Sequence, residues 1–249
     1  MLAVIRTMQL LDALVQAPDG MGVMELANAL KIHKADVSRI LSTLQDMGYV
    51  IQDERTGRFT VSFKFVAMAL RYKDHTELED IVQPVLAELV RQTGESVQFA
   101  VEQNRELIYV ERMDGTKPLR VASMLGLSAP LHATAAGKVW LASLPKEEVV
   151  ALMKERGMEA VTEHTITDLN ALLRELAQVR EQGYAVSREE VNPTVFGLAV
   201  PVHDRKGMVR AAVVVTLPMY EATEERIDAV KSRAMKAADI LSEQLSLIW

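Results

Sequence analysis

The chain contains no cysteine. Disulfides, thiolate zinc sites and iron–sulfur clusters are excluded by that absence, and a cytoplasmic location is the expectation. No apolar run approaches the ~18 residues that a membrane-spanning helix needs, so no membrane partner is expected. The opening stretch, MLAVIRTMQLLDAL, is apolar enough to suggest a signal peptide. Arg6, Gln9 and Asp12 interrupt it at helical spacing, however, and no small-residue cleavage site follows, so it reads as an amphipathic helix. The five histidines (His33, His75, His132, His164, His203) lack ligand-like spacing, and no metal site is expected. Neither G-x-S-x-G nor G-x-G-x-x-G occurs, and no cofactor is expected. Repeats and low-complexity tracts are missing as well.

What is present is an ordinary globular balance, 49% hydrophobic and 25% charged over 249 residues, which excludes wholesale disorder and allows one large or two modest domains. The net charge of −6 argues mildly against a nucleic-acid partner, but it is unevenly distributed. Residues 1–72 carry eight basic and seven acidic side chains, a local charge of +1 that leaves −7 on the remainder. A roughly neutral head on an acidic body permits DNA binding without proving it.

Apolar periodicity predicts a helix over 2–16, ending before Pro18, with Leu2, Ile5, Leu10, Leu11, Leu14 and Val15 on its apolar positions. A short helix follows at Val23–Leu30, and a third runs from Lys34 to about Met47, stopped by Gly48. Val37, Ile40, Leu41, Leu44 and Met47 form its buried stripe, while Lys34, Ser38, Arg39, Ser42, Thr43 and Gln45 face outward. YVIQ, DERTG and RFTVSF then read as a hairpin, with Phe59, Val61 and Phe63 alternating and Gly57 in the turn. Three helices and a two-stranded wing make a winged helix-turn-helix, whose last helix enters a DNA major groove. A polar stretch around Tyr72–Glu79 precedes a helix expected through Leu89 and closed by Thr93-Gly94. A domain boundary is expected near residue 65, with 66–93 as linker helix and dimerisation segment and 94–249 as a second domain. Strands are predicted at Val97–Val101, Leu107–Arg112, Leu119–Met124, Tyr184–Ser187, Val195–Val202 and Val209–Leu217. Helices are predicted at Ala135–Leu144, Lys146–Arg156, Leu169–Gln182 and Thr223–Leu247. Short polar turns between consecutive strands imply an antiparallel sheet flanked by helices, so the fold class is α+β.

Several segments together resemble the IclR family of bacterial transcription regulators over essentially the whole chain. They are GVMELANALKIHKADVSRILSTLQDMGYV, TGESVQFAV, PLHATAAGKVWLASLP, the Thr165-Ile166-Thr167 region, VREQGYAV with Glu189-Glu190 beyond it, and LAVPVHD. The first segment would suit many winged helices; Pro130–Lys138 with Gly183-Tyr184-Ala185 and Glu189-Glu190 is far more particular. The resemblance implies a homodimer or homotetramer that binds double-stranded operator DNA. It also implies a GAF-like C-terminal domain in which a small-molecule effector changes that affinity.

Within the third helix, Arg39 and Ser38 project from the polar face, with Lys34 at its start and Thr43 one turn on. Arginine can bond guanine O6 and N7 bidentately, while lysine and threonine more often hold phosphates. A merely solvated helix face would look the same, and the wing and the family resemblance tip the balance toward DNA. Asp36 is a departure from the family pattern, where a small hydroxyl residue is common. It either accepts from cytosine N4 or stabilises the helix start, and the sequence leaves both open. Arg55 and Arg58 flank the wing tip, suited to backbone or minor-groove contact.

The stretch His132–Lys138 opens a helix with small residues, where free backbone amides make an anion site. A P-loop fails, because it would need glycine at His132 and a hydroxyl at Val139. A tightly packed helix start is the rival reading. By resemblance, Ala135 and Ala136 offer amides to an acid, with Thr134 beside them. The same resemblance aligns a ligand-bonding acidic residue of some members with Ser187 and a cysteine with Gly197. Both differences point to a bulkier ligand than a two- or three-carbon oxoacid. An aromatic or branched organic acid is the expectation, walled by Val121, Met124, Leu127, Val195 and Phe196. His132 reads as structural. Glu189 and Glu190, being adjacent, would face opposite ways on a strand and do not read as an acid–base pair. The competing function is an enzyme or metabolite-binding protein whose N-terminal helices serve only assembly.

Overall fold

The computed structural model describes residues 2–73, 75–117, 126 and 130–246. The chain divides into two compact units, residues 1–77 and 78–249.

The first unit begins with α1 (Leu2–Val15), which buries Leu10, Leu11 and Leu14. Leu2, Ile5 and Val15, expected on the same apolar stripe, are exposed, together with Val4 and Met8. α2 (Val23–Leu30) starts where the Gly22 amide donates to the Glu25 carboxylate at 2.8 Å. α3 (Lys34–Asp46) buries Val37, Leu41 and Leu44, while Met47 just beyond it is exposed. The hairpin is β1 (Val50–Gln52) against β2 (Phe59–Val61), antiparallel. Met21 adds a bridge to Phe59. Gly20 permits this approach, because its φ is +71° and a Cβ there would lie 2.5 Å from the Phe59 carbonyl oxygen. Phe63, expected to continue the strand alternation, is instead 87% exposed and precedes α4 (Lys64–Lys73). That helix was not separately predicted, and none of its residues is buried.

The second unit opens with α5 (Leu78–Thr93), so the expected linker segment contains two helices, one in each unit. Its sheet contains β3 (Ser96–Gln103), β4 (Glu106–Met113), β5 (Ala185–Arg188), β6 (Val195–His203) and β7 (Val209–Pro218). Among the described residues the order is β4-β3-β7-β6-β5 and every pairing is antiparallel. The strand expected at Leu119–Met124 lies outside the described residues. Helices α6 (Ala135–Ser143), α7 (Lys146–Arg156) and α8 (Leu169–Gln182) cover one face of the sheet, and α5 and α9 (Glu224–Leu245) cover the other. The two-residue strand period decides which side chain meets which layer. Val97, Phe99, Phe196 and Leu198 enter the α5–α9 layer, whereas Ala100, Ala199, Ala212 and Val214 enter the α6–α8 layer. Both sheet faces are thus dry, and the small residues on the α6 side let that helix lie close.

Candidate functional site

On the first unit, the outward face of α3 carries Lys34, Ser38, Arg39 and Thr43, all exposed. Arg39 Nη2 donates to Asp36 at 2.7 Å, and Arg6 of α1 donates to the other oxygen of the same carboxylate at 2.8 Å. Asp36 is therefore neither a bare repulsive charge nor simply a helix-start acid: it bridges α1 and α3 and steers Arg39. Such an exposed pair contributes only about 0–1 kcal/mol, so its consequence is orientation. Thr43 Oγ1 donates to the Arg39 carbonyl one turn back. The two wing arginines differ. Arg55 is exposed, its amide held by Asp53, whose carboxyl lies below the usual range because the Arg55 and Thr56 amides donate to it. Arg58, beside it, is tethered within the head. Its Nε and Nη2 donate to the Gly20 carbonyl at 3.1 and 2.7 Å, and it pairs with Glu25 at 3.0 Å. It fastens the wing to the turn ahead of α2, a contact between residues 38 apart that no local pattern announces.

On the second unit, Thr134, Ala135, Ser187, Val195 and Gly197 line one cavity of about 50 Å³. Gln98, Tyr109, Val191, Asn192, Val214 and Thr216 complete its described wall. Ala136 is fully buried behind this wall, and Phe196 points to the opposite sheet face. Val121, Met124 and Leu127 lie outside the described residues. Sheet register explains the convergence, since Ser187 pairs with Gly197, Gly197 with Thr216, and Gln98 with the neighbouring Val214. The sequence reading missed Gln98, Tyr109 and Thr216. Only the alternation in VQFAV marks Gln98 as facing away from Val97 and Phe99, and nothing local says toward what.

The start of α6 is built for close approach. Thr134 caps it, with Oγ1 accepting from the Gly137 amide at 3.0 Å and donating to the Pro130 carbonyl at 3.0 Å. Ala135 and Ala136 then carry the first unpaired amides of the helix, where the helix dipole favours negative charge. Ser187 Oγ donates to the Ala133 carbonyl at 2.7 Å and ties β5 to this turn. Burial pushes the Tyr109 hydroxyl up to about 12, so it stays protonated. Gly137 lies against Leu131: a Cβ there would sit 2.2 Å from the Leu131 oxygen. Gly137→Ala is accordingly expected to cost about 1–3 kcal/mol of stability or more, read by thermal unfolding. An alanine variant as stable as wild type would overturn this close packing.

Behind the cavity, Lys138 is fully buried. Its Nζ donates to Glu175 and Glu190, each at 2.6 Å, and to the Val186 carbonyl at 3.2 Å. Thr162 and Thr165 hold the carbonyls of Glu189 and Glu190, both at 2.7 Å. Glu189 and Glu190 lie just past the end of β5 rather than on a strand, and Glu190 is a buried ion partner. His132 Nε2 lies 2.9 Å from the Glu159 carbonyl, a structural contact. No group of three or more potential metal ligands occurs among the described residues.

Comparison with known proteins agrees with this architecture. The profile described as "Bacterial transcriptional regulator IclR C-terminal" matches residues 70–243, and that described as "IclR helix-turn-helix domain" matches residues 3–54. The HTH-type transcriptional regulator KdgR of Escherichia coli is 31% identical over 98% of this chain and 92% of its own length. The crystal structure of the Thermotoga maritima IclR superposes with a TM-score of 0.74 at 26% identity, covering 98% of both chains. An IclR homologue from Microbacterium hydrocarbonoxydans, complexed with 4-hydroxybenzoate, gives a TM-score of 0.75 at 21% identity, covering 97% of this chain and 98% of that one, a likeness of fold. No helix among the described residues is long and apolar enough to cross a membrane. With a DNA-binding head and an effector-type domain matched in their proper order along nearly the whole chain, this protein belongs to the IclR family of bacterial transcriptional regulators.

Proposed function

We propose that this regulator acts in the cytoplasm, binds operator DNA as a homodimer or homotetramer through Lys34, Ser38, Arg39 and Thr43 of α3 with Arg55 and Arg58 on the wing, and is controlled by a small organic acid held in the cavity at the start of α6. The observation that carries the reading is the convergence of the α6 amide terminus with Ser187, Val195 and Gly197 on one buried cavity. Oligomerisation is supported by the exposed apolar side chains of α1 (Leu2, Val4, Ile5, Met8) and of α4 and its approach (Phe63, Val66, Leu70), which a second copy would cover. Residues 66–93 then serve as the connection through which occupancy biases the DNA heads, by favouring one of two arrangements.

A compact acid suits the cavity volume of about 50 Å³, well below the ~150 Å³ of a cavity that holds benzene. An aromatic acid is the second reading. It is favoured by the 4-hydroxybenzoate complex of the Microbacterium homologue and by the missing side chain at Gly197, where a Cβ would find Ala135 and Ser187 only at 3.9 Å.

The test is gel retardation of DNA from upstream of the gene, at several salt concentrations with excess nonspecific competitor, followed by addition of aliphatic and aromatic acids. Specific retention that falls steeply with salt is expected, because phosphate contacts release counterions. An acid that shifts retention identifies the effector. Selection from random sequence that yields no preferred site would overturn the DNA-binding assignment, and retention indifferent to every acid would overturn the effector class.

A further inference from the structure

The cavity wall contains one polar atom whose need nothing else satisfies. Gln98 of β3 is only 3% exposed, and its side chain turns toward α6 rather than into the α5–α9 layer. Its Oε1 is buried and has no hydrogen-bond partner among the described residues. Buried amide oxygens are almost always paired, so an orphan opening on a cavity implies a partner that arrives with the ligand.

The rest of the described wall fixes the ligand's polarity. No lysine, arginine or histidine lines it, so a carboxylate is met by the helix terminus at Ala135 rather than by a cation. Three of the wall's hydroxyl protons are already committed. Ser187 donates to the Ala133 carbonyl, Thr134 to the Pro130 carbonyl, and Thr216 points at the Ser96 carbonyl, though at a long 3.4 Å. Tyr109 and Asn192 still present donors, so the acceptors that wait for a proton from the ligand are Gln98 Oε1 and the lone pairs of Ser187 Oγ. A plain alkyl acid or oxoacid would leave them facing carbon or another acceptor.

We propose that Gln98 is a specificity-determining residue that accepts a hydrogen bond from a hydroxyl group on the effector, and that the effector class is a hydroxycarboxylic acid. This rests on the assignment of the cavity as the effector site. Discrimination then follows from the cost of leaving a buried acceptor unpaired, which rejects analogues lacking the hydroxyl more strongly than a missing methylene would.

The experiment is calorimetry on the full-length protein with matched pairs of probes: 3-hydroxypropionate against propionate, 3-hydroxybutyrate against butyrate, and 4-hydroxybenzoate against benzoate. In at least one pair the hydroxylated member should bind about tenfold or more tightly. Gln98→Leu and Gln98→Met, both of similar size, should erase that preference, bringing the two members of the pair to equal affinity. Gly197→Val, which fills the cavity, should abolish binding of both members. Equal affinities within every pair, or a preference that survives both Gln98 substitutions, would overturn the role of Gln98 while leaving the cavity assignment intact. Acid binding indifferent to Gly197→Val, or no acid bound at all, would remove the cavity assignment and this proposal with it.

Discussion

Lys138→Met is expected to destabilise the effector-binding domain by about 3–5 kcal/mol near neutral pH, a large fraction of what a domain possesses. The lysine is fully buried, and its three hydrogen bonds join α6 to α8 and to the strand end at Val186 and Glu190. Methionine matches its length but supplies no charge, so Glu190 is left as a buried carboxylate whose Oε2 is already unpartnered. The cost should depend on pH in a defined sense. Burial pushes the Glu190 carboxyl above its ordinary 4.5, against the opposing pull of Lys138. A group whose folded pKa is raised contributes its stability below the unfolded value and loses it as pH rises through the folded one. Removing the lysine removes the opposing pull, so the penalty should be smallest below about 4.5 and grow toward neutrality. Adding Glu190→Gln to the variant should restore part of the loss, since a neutral amide needs no counter-ion. Urea unfolding at acid and neutral pH, followed by the fluorescence of Trp140 on the same helix, measures both effects. A neutral-pH cost below about 1 kcal/mol would mean that the pair is hydrated and the helix start is positioned by packing alone.

Arg39→Ala is expected to weaken operator binding by about 1–3 kcal/mol, or roughly 5- to 150-fold, and to relax sequence preference at one base pair. The guanidinium is well exposed, with 79% of its side chain accessible, and Asp36 holds only Nη2. The fold should therefore be nearly untouched, with stability within about 0.5 kcal/mol of wild type. Lys34→Ala provides the contrast, since a phosphate contact is lost uniformly across sequences and lowers the salt slope by about one. Titration of operator and scrambled DNA at three salt concentrations separates the two patterns. Undiminished retention by Arg39→Ala would show that α3 presents a different residue to the base edges.

The way the sequence encodes this protein differs between its two ends. In the head, α2 and α3 follow from apolar spacing and the wing from alternation around Gly57, because each is a local pattern with a short period. What alternation could not show was where it stops: Phe63 continues the two-residue rhythm but is 87% exposed, since the chain has already turned toward α4. The tether of Arg58 is likewise outside any local pattern, because the turn at Gly20, far away in sequence, is what folds against it.

In the second unit the strands and helices were legible because both sheet faces are covered and the runs are long and apolar. The motif at Pro130–Lys138 marked the α6 start, since a glycine with a backbone 2.2 Å from its missing side chain, a threonine cap and two alanines leave a local signature. The sequence alone determined family, fold class and the small-residue helix terminus, because these depend on neighbours within a few residues or on patterns repeated along the chain. Only the tertiary structure decided that Gln98 and Tyr109 share a cavity with Ser187 and Gly197, and that Lys138 finds Glu175 and Glu190. Those contacts span strands brought together by register and a helix laid across them, and a side chain's partner at such separations is set by the packing of layers rather than by the residues beside it.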